Sequence, residues 1–282
     1  MQWVSRQFTT RVIVLIPIAI AINIVLGYTV QTVLKLPIYL DSIGTILVGV
    51  LAGPLAGAFT GAASNLIWQY APVIGGGTIG PFAITAAVIG FMAGIWGYLG
   101  VYRPRPASGA QLIVAAVVAA ALVVLVAFPI FNNPAYTDPN VGAYPDWVFT
   151  AAIVIAAIVA AVVAAFIYVR RDLAGIWVAV AGILTGIVAA IVSAPIAAIA
   201  FGGVTGSGTD LIVAALRQGG SNVYQASLGQ GLFSDPIDKT ITSFIVFILL
   251  SGLSGRFISR FPLGEHLRQT SQPAPELAPP AA

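Results

Sequence analysis

The chain has 282 residues, of which 59% are hydrophobic and 7% are charged, and its mean hydropathy is +1.00. This composition excludes a water-soluble globule and predicts an all-α polytopic membrane protein. Twelve Lys and Arg residues stand against nine Asp and Glu, but they are scattered at segment ends, so nucleic-acid binding is not expected. The lack of cysteine and the single histidine, His266, exclude disulfides, thiolate or multi-histidine metal sites and histidine-based triads.

The first apolar run, residues 12–33, is too long for the core of a signal peptide, so it is predicted to be a retained transmembrane helix. The next stretch, residues 39–70, combines a carboxylate, spaced glycines and a polar, aromatic end. Asp41 can cap a helix that runs to Gly53, and Pro54 suits the first turn of a second helix. At about 1.5 Å per residue these helices reach roughly 20 and 24 Å, which is less than the roughly 30 Å hydrocarbon core, so they need close protein neighbours.

Small residues and purely apolar runs characterise the middle of the chain. Glycine recurs every four residues over positions 49–61, and more glycines follow in the helix predicted at 81–100. Such spacing clears a helix face for the close approach of another backbone. Segments 111–131 and 147–169 are almost entirely Ala, Val, Ile and Leu and are predicted to face lipid, and a long span follows at 173–201.

The last third of the chain begins with a polar stretch. Residues 202–235 are predicted to form an extracytoplasmic loop, and a final helix is predicted at 237–258. Asp235 is expected to cap that helix, with Asp238 near its start. The Pro- and Ala-rich residues 261–282 are expected to form a disordered cytoplasmic tail.

Counting residues 39–70 as two spans gives about eight hydrophobic segments with both termini on the cytoplasmic side. Nine basic residues then lie inside and three outside, as the positive-inside rule requires. A single kinked span in place of the hairpin gives seven segments and a distribution of eight to four, so eight segments are preferred. The polar stretch faces outward in both arrangements.

Several polar and aromatic residues from different segments are predicted to share the outer side, as a small-molecule pocket requires. Capping of helices remains an alternative for the acids, and a plain turn for the glycine-rich stretch GVTGSGTD, which lacks the lysine of a phosphate loop. No nucleophile is paired with a base, so neither a catalytic residue nor a metal site is predicted. The candidate substrate-binding residues are Asp41, Asn65, Trp68, Gln69, Thr205, Ser207, Thr209, Asp210, Asn222, Tyr224 and Asp238.

Three stretches carry a family resemblance: LPIYLDSIGTILVGVLAGPLAGAFTGAASNLIW, SAPIAAIAFGGVTGSGTD and DPIDKTITSFIVFILLSGL. They resemble the substrate-binding S components of energy-coupling factor (ECF) vitamin transporters. The resemblance covers about residues 12–100 and 173–260, and it implies a six-helix core within a single transmembrane domain, 1–260. The apolar hairpin 109–169 would be an addition to that core.

The resemblance implies a multi-pass protein of a prokaryotic plasma membrane that binds a vitamin-like micronutrient on the extracytoplasmic side. It would deliver the molecule with a transmembrane coupling subunit and two cytoplasmic ATPases, so ATP would be used by partners and this chain would be neither an enzyme nor a cofactor protein. The family's docking face corresponds, imperfectly, to Ala19, Asn23 and Gly27.

Two alternatives are a stand-alone secondary transporter and a ligand-sensing membrane domain. The excess of outward acids over bases, together with Trp68 and Tyr224, favours a neutral or cationic ligand that contains a ring.

Overall fold

The computed structural model describes residues 2–34, 38–70, 79–106, 109–131 and 146–268. These residues form α-helices joined by short connections, and no strand occurs among them. The helices are α1 (Gln2–Gln7), α2 (Thr10–Gly27), α3 (Ile43–Ala52), α4 (Pro54–Tyr70), α5 (Ala83–Tyr98), α6 (Ala110–Phe131), α7 (Asp146–Arg170), α8 (Ala174–Phe201), α9 (Asp210–Gln218), α10 (Val223–Gly252) and α11 (Gly255–Ile258). A π-helical turn (Tyr28–Val33) extends α2, and 3-10 turns (Gly80–Phe82 and Gly264–Leu267) precede α5 and follow α11.

Three helical stretches in the described part of the chain are long and apolar enough to cross a membrane: Thr10–Val33, Gly80–Tyr98 and Ala174–Phe201. This is the architecture of an all-α membrane protein, as the composition predicts. The number of membrane-spanning segments stays a prediction.

The break between α3 and α4 lies where the sequence predicts it. Gly53 has a φ of +119°, a conformation that glycine adopts without steric cost, and Pro54 begins α4. The Oε1 atom of Gln7 accepts hydrogen bonds from the backbone N–H groups of Leu55 (2.8 Å) and Ala56 (3.4 Å). The N-terminal segment therefore caps α4 and fixes the turn at this end of the bundle.

Glycines bring α3, α4 and α5 into backbone contact. A Cβ atom added at Gly57 or Gly90 would collide with the carbonyl group of the other glycine, and one added at Gly49 would lie 2.7 Å from the carbonyl oxygen of Gly90. The sequence prediction of close packing by these glycines is confirmed.

Glycines also bring α8 into backbone contact with α10. An added Cβ at Gly182 would lie 2.5 Å from the Cα atom of Thr240, and one at Gly186 would collide with the backbone of Pro236. Consequently the central part of α10 is pressed directly against α8.

The last long helix begins fourteen residues before the predicted start at residue 237, because α10 begins at Val223. Asn222 is its N-cap in a capping box with Gln225, in which each side chain accepts from the other residue's backbone N–H (2.8 and 3.1 Å). The prediction that residues 223–235 form a loop is therefore wrong, as is the prediction that Asp235 is a cap. Pro236 lies inside the helix, where its missing N–H removes only one backbone hydrogen bond and close neighbours stabilise the local geometry.

The end of the bundle opposite α9 is closed by both terminal regions. Arg11 donates a hydrogen bond to the carbonyl of Arg260 (3.1 Å), and the backbone N–H of Leu263 donates to the carbonyl of Leu51 (2.9 Å). Phe261 and Leu267 are buried beside these contacts. Residues 261–268, expected to belong to a disordered tail, are therefore folded; the remainder of that tail, 269–282, lies outside the described residues.

The helices α6 and α7 pack on each other and on α8. Asp172, which follows α7, is bonded to the segment before α6 and to the start of α8. Its Oδ1 atom accepts from the backbone N–H groups of Arg105 and Ala174 (both 2.8 Å). Residues 132–145, which connect the two helices, lie outside the described residues, as does Lys35.

Gly90→Ala tests the packing of α4 on α5. The new methyl group would press on the carbonyl of Gly57, and such overpacking costs about 1–3 kcal/mol, so we expect a clearly lower melting temperature for the purified protein in detergent. Gly252→Ala is the matched control, because a Cβ added there meets no atom within 4 Å. Equal melting temperatures for the two variants would contradict the proposed contact.

Candidate ligand-binding cavity

A cavity of about 830 Å³, its open part included, lies between the ends of α2, α4 and α8, the starts of α3 and α5, and α10. It is at the end of the bundle that also holds α9. No described side chain of α6 or α7 lines it, in keeping with the predicted place of that hairpin outside the pocket.

One wall of the cavity is apolar. Ile79 and Phe82 contribute side chains from just before α5, and Ile89 from α5 itself. Ala189 and Ala197 contribute from α8. The ring of Phe82 is stacked on that of Phe201, with centroids 5.4 Å apart and planes inclined by 12°. Phe82 thus contributes an aromatic ring to the wall.

Most of the remaining lining is polar and comes from seven separate parts of the chain. Two of its hydroxyl groups, Thr85 Oγ1 and Ser227 Oγ, are buried and have no hydrogen-bond partner among the described residues. Buried polar atoms nearly always have a partner, so these two hydroxyls are available to a molecule in the cavity. The other polar lining residues are Gln31, Tyr39, Asp41, Ser42, Asn65, Ser193, Thr205, Ser207, Gln230, Asp235 and Lys239.

A buried ion pair forms the base of the polar wall. The ammonium group of Lys239 lies 2.6 Å from Asp238 Oδ2 and 3.5 Å from Asp41 Oδ1, and it donates to Ser42 Oγ at 2.7 Å. Lys239 and Asp238 are almost fully buried. A buried charge without its partner is strongly destabilising, so these groups hold α10 to the start of α3. Lys239 is one of the three basic residues counted on the extracytoplasmic side in the sequence analysis, and the structure places it inside the bundle.

The segment before α3 crosses the cavity and is held there through the backbone of Tyr39 and Leu40 and the side chain of Tyr39. Asp238 Oδ1 accepts from the backbone N–H groups of Tyr39 (2.9 Å) and Leu40 (2.8 Å), and Leu40 has a φ of +51°, which is strained for this residue type. The Tyr39 hydroxyl shares a hydrogen bond with Thr209 (3.1 Å) and accepts one from Gln230 (3.0 Å). Burial raises the pKa of the Tyr39 phenol, so it stays protonated at neutral pH.

The glycine-rich loop before α9 is organised by Asp210. Its carboxylate accepts from the N–H of Thr205 (3.0 Å), the hydroxyl of Thr205 (2.8 Å) and the N–H of Gly206 (2.6 Å). Two backbone N–H groups of the loop are therefore used within it, while the side chains of Thr205 and Ser207 line the cavity.

Four of the predicted substrate-binding residues line the cavity: Asp41, Asn65, Thr205 and Ser207. Four others do not line the cavity but stabilise the residues around it: Trp68 is buried near Gly27, while Thr209, Asp210 and Asp238 make the bonds described above. The remaining three are not brought to it by the structure. Gln69 accepts a hydrogen bond from Gly80 N–H (2.8 Å), Asn222 is the N-cap of α10, and Tyr224 is exposed.

The docking face expected at Ala19, Asn23 and Gly27 is not on the outside of the bundle, because all three residues are buried. Asn23 Nδ2 donates to Thr45 Oγ1 (2.8 Å) and Ser64 Oγ (2.9 Å), and its Oδ1 atom accepts from the N–H of Gly44 (2.7 Å). These bonds join α2 to α3 and α4. The small residues of α2 therefore serve packing within the chain, and the docking prediction for them is wrong.

The residues that sequence reasoning missed are mainly on α10. Polar side chains recur there every three or four residues, which places them on one face of a helix. This spacing predicts a buried polar face once the helix is recognised to begin before residue 237. The recurring positions are Ser227, Gln230, Ser234, Asp238 and Thr242.

Comparisons of the chain with protein-family models, with curated proteins and with solved structures found no match. The function is therefore inferred from the residues of the cavity and from the resemblance in sequence.

Asp238→Ala tests the anchor at the base of the cavity. It would leave Lys239 without its nearest carboxylate and two backbone N–H groups without their acceptor, and breaking a buried pair in this way costs about 3–5 kcal/mol. We expect a large fall in melting temperature. Asp238→Asn is the matched control, because it retains an oxygen acceptor of the same size for Tyr39 and Leu40, and its loss should be smaller. Identical losses for both variants would contradict the role of Asp238 in holding the backbone of the crossing segment.

Proposed function

We propose that this protein is the substrate-binding subunit of an ECF-type importer. It would bind a vitamin-like small molecule on the extracytoplasmic side and deliver it across the membrane. The observation that carries the proposal is the cavity, which is built from several helices and contains buried hydroxyl groups, Thr85 Oγ1 and Ser227 Oγ, without partners among the described residues. Such a mixture of apolar walls and a few convergent polar groups is typical of a specific small-molecule site.

The proposed topology is a bundle of about eight segments in a prokaryotic plasma membrane, with a six-helix core and the added hairpin of α6 and α7. The end closed by Arg11, Arg260 and the segment 261–268 would be cytoplasmic, in agreement with the positive-inside rule, and the cavity would then open to the outside. Nucleotide would be bound and hydrolysed by two partner ATPases, coupled through a transmembrane subunit. Because Ala19, Asn23 and Gly27 are buried, that subunit would contact other surfaces of the bundle.

Binding without chemical conversion agrees with the groups that line the cavity. Ser42 Oγ lies 2.7 Å from Lys239 Nζ, a distance found in serine–lysine catalytic pairs. Lys239 is, however, paired with Asp238 and Asp41, and an ammonium group in an ion pair donates protons rather than accepting them. The pair therefore does not supply the general base that nucleophilic catalysis requires.

A second candidate, a stand-alone secondary transporter, is favoured by one observation. Asp235 and Asp238 are buried in the interior of α10 instead of at a helix end, and buried ionisable groups in membrane helices are found in ion and proton pathways. The two candidates differ in their source of energy. Uptake into vesicles would require the partner ATPases in the first case and an ion or proton gradient in the second.

Thr85→Val and Ser227→Ala test the cavity directly. Each variant removes a buried hydroxyl that has no partner, so the protein without ligand should be as stable as the wild type or more stable. The purified wild type, screened in detergent against vitamins, should be stabilised by one compound, by about 2.7 kcal/mol at 100 times its dissociation constant. The two variants should bind that compound more weakly.

Thr60→Val is the matched control, because Thr60 is buried away from the cavity and its hydroxyl donates to the carbonyl of Ala56 (2.8 Å). It should leave ligand affinity unchanged. A panel in which no compound raises the melting temperature, or a ligand whose affinity is insensitive to both cavity variants, would contradict the proposed binding site.

A further inference from the structure

We propose that the cavity selects an organic cation and that Asp235 is the residue that recognises its positive charge. This inference rests on the proposed binding function and names the chemical class of the substrate. It follows from the balance of charge around the cavity, the position of Asp235, the free hydroxyls and the shape of the apolar wall.

The charged groups at the cavity are unbalanced. Three carboxylates, those of Asp41, Asp235 and Asp238, surround the single ammonium group of Lys239, and all four residues belong to the described, mostly buried part of the bundle. With every group ionised, the cluster carries two negative charges in excess. Excess charge in a poorly solvated site is unfavourable, and a bound cation would neutralise part of it.

Asp235 is the carboxylate that remains for a ligand. Lys239 lies within ion-pair distance of Asp238 and Asp41, and no basic group of the described chain lies within such a distance of Asp235. The Asp235 residue is only 5% exposed, yet it lines the cavity. Its backbone is held against Gly186 of α8, so the position of the backbone that carries this carboxylate is fixed.

The hydroxyls of Thr85 and Ser227 are an independent sign that the cavity holds a polar molecule. Both are more than nine-tenths buried, both line the cavity, and both lack a hydrogen-bond partner among the described residues. Because they come from α5 and α10, a molecule that bonds to both must lie between these helices, and Asp235 is on the second of them. The substrate therefore combines a positive charge with groups that form hydrogen bonds.

An organic cation fits this cavity better than a metal ion. No group of three His, Cys, Asp or Glu side chains among the described residues is arranged to hold a metal, and the ammonium of Lys239 already lies between Asp41 and Asp238. The wall that contains Phe82 and Ile89 presents apolar surface, which a metal ion does not use. A flat cationic ring would gain from this aromatic surface.

An anionic substrate is disfavoured by the loop before α9. In an anion site, backbone N–H groups of a glycine-rich loop point at the ligand. Here the N–H groups of Thr205 and Gly206 are donated to the carboxylate of Asp210, so these two groups do not serve an anion. An anion would also lie near the unpaired Asp235.

The experiment compares compounds of different charge on the full chain purified in detergent. The panel holds cations (thiamine, 1-methylnicotinamide), neutral compounds (nicotinamide, pyridoxine) and anions (nicotinate, biotin), each followed by thermal shift and equilibrium dialysis. The best ligand is expected to be a cation. Asp235→Asn should raise its dissociation constant about tenfold or more, the usual effect of losing a hydrogen bond to a charged group, while the protein without ligand keeps a melting temperature at or above that of the wild type.

Glu265→Gln is the matched control, because it removes a negative charge from an exposed side chain at the opposite end of the bundle and should leave binding unchanged. A neutral or anionic compound that binds best, or a cation bound equally by Asp235→Asn, would overturn the inference and leave the binding function intact. A wild-type protein that binds no member of the panel would contradict both the inference and the binding function.

Discussion

The ammonium group of Lys239 is the point on which the cavity end of this structure depends. It contacts Asp238 on its own helix, and Ser42 and Asp41 at the start of α3. Asp238 in turn holds the backbone of Tyr39 and Leu40. One buried charge therefore joins α10, α3 and the segment that crosses the cavity, and removing it would release three parts of the wall together.

The cluster is possible because the helices around it approach one another very closely. Gly182 and Gly186 of α8 lie against the backbone of α10 next to the charged residues, which leaves little space for water behind them. In such surroundings an ion pair is strong only when its geometry is good and its remaining bonding positions are satisfied. Lys239 and Asp238 meet that condition, whereas Asp235 faces the cavity.

Much of the fold followed from the sequence, because hydrophobicity, glycine spacing and proline positions act locally. The break at Gly53 and the backbone contact of Gly57 with Gly90 are of this kind. The start of α10 was missed because proline is favoured in the first turn of a helix and disfavoured in its interior, and only the close neighbours of Pro236 permit the interior position here. Among the cavity residues, Asp41 and Asn65 were identified as candidates because they lie at the ends of apolar segments. Asp238 was expected near a helix start because of the same error in α10. For Asn23, the resemblance implied an exposed docking face on α2, and a resemblance in sequence does not show that this face points inward.

The length and composition of α10 bear on how the protein is made. The helix has 30 residues and carries Asp235, Asp238 and Lys239 near its middle, and each such residue at the centre of an isolated membrane helix adds about 2.5–3.5 kcal/mol to the cost of insertion. In the proposed topology it would therefore enter the bilayer poorly by itself, after the helices that precede it have been synthesised. Its insertion is best understood as a late step of folding, in which the surface of α8 and the start of α3 receive the charged residues directly.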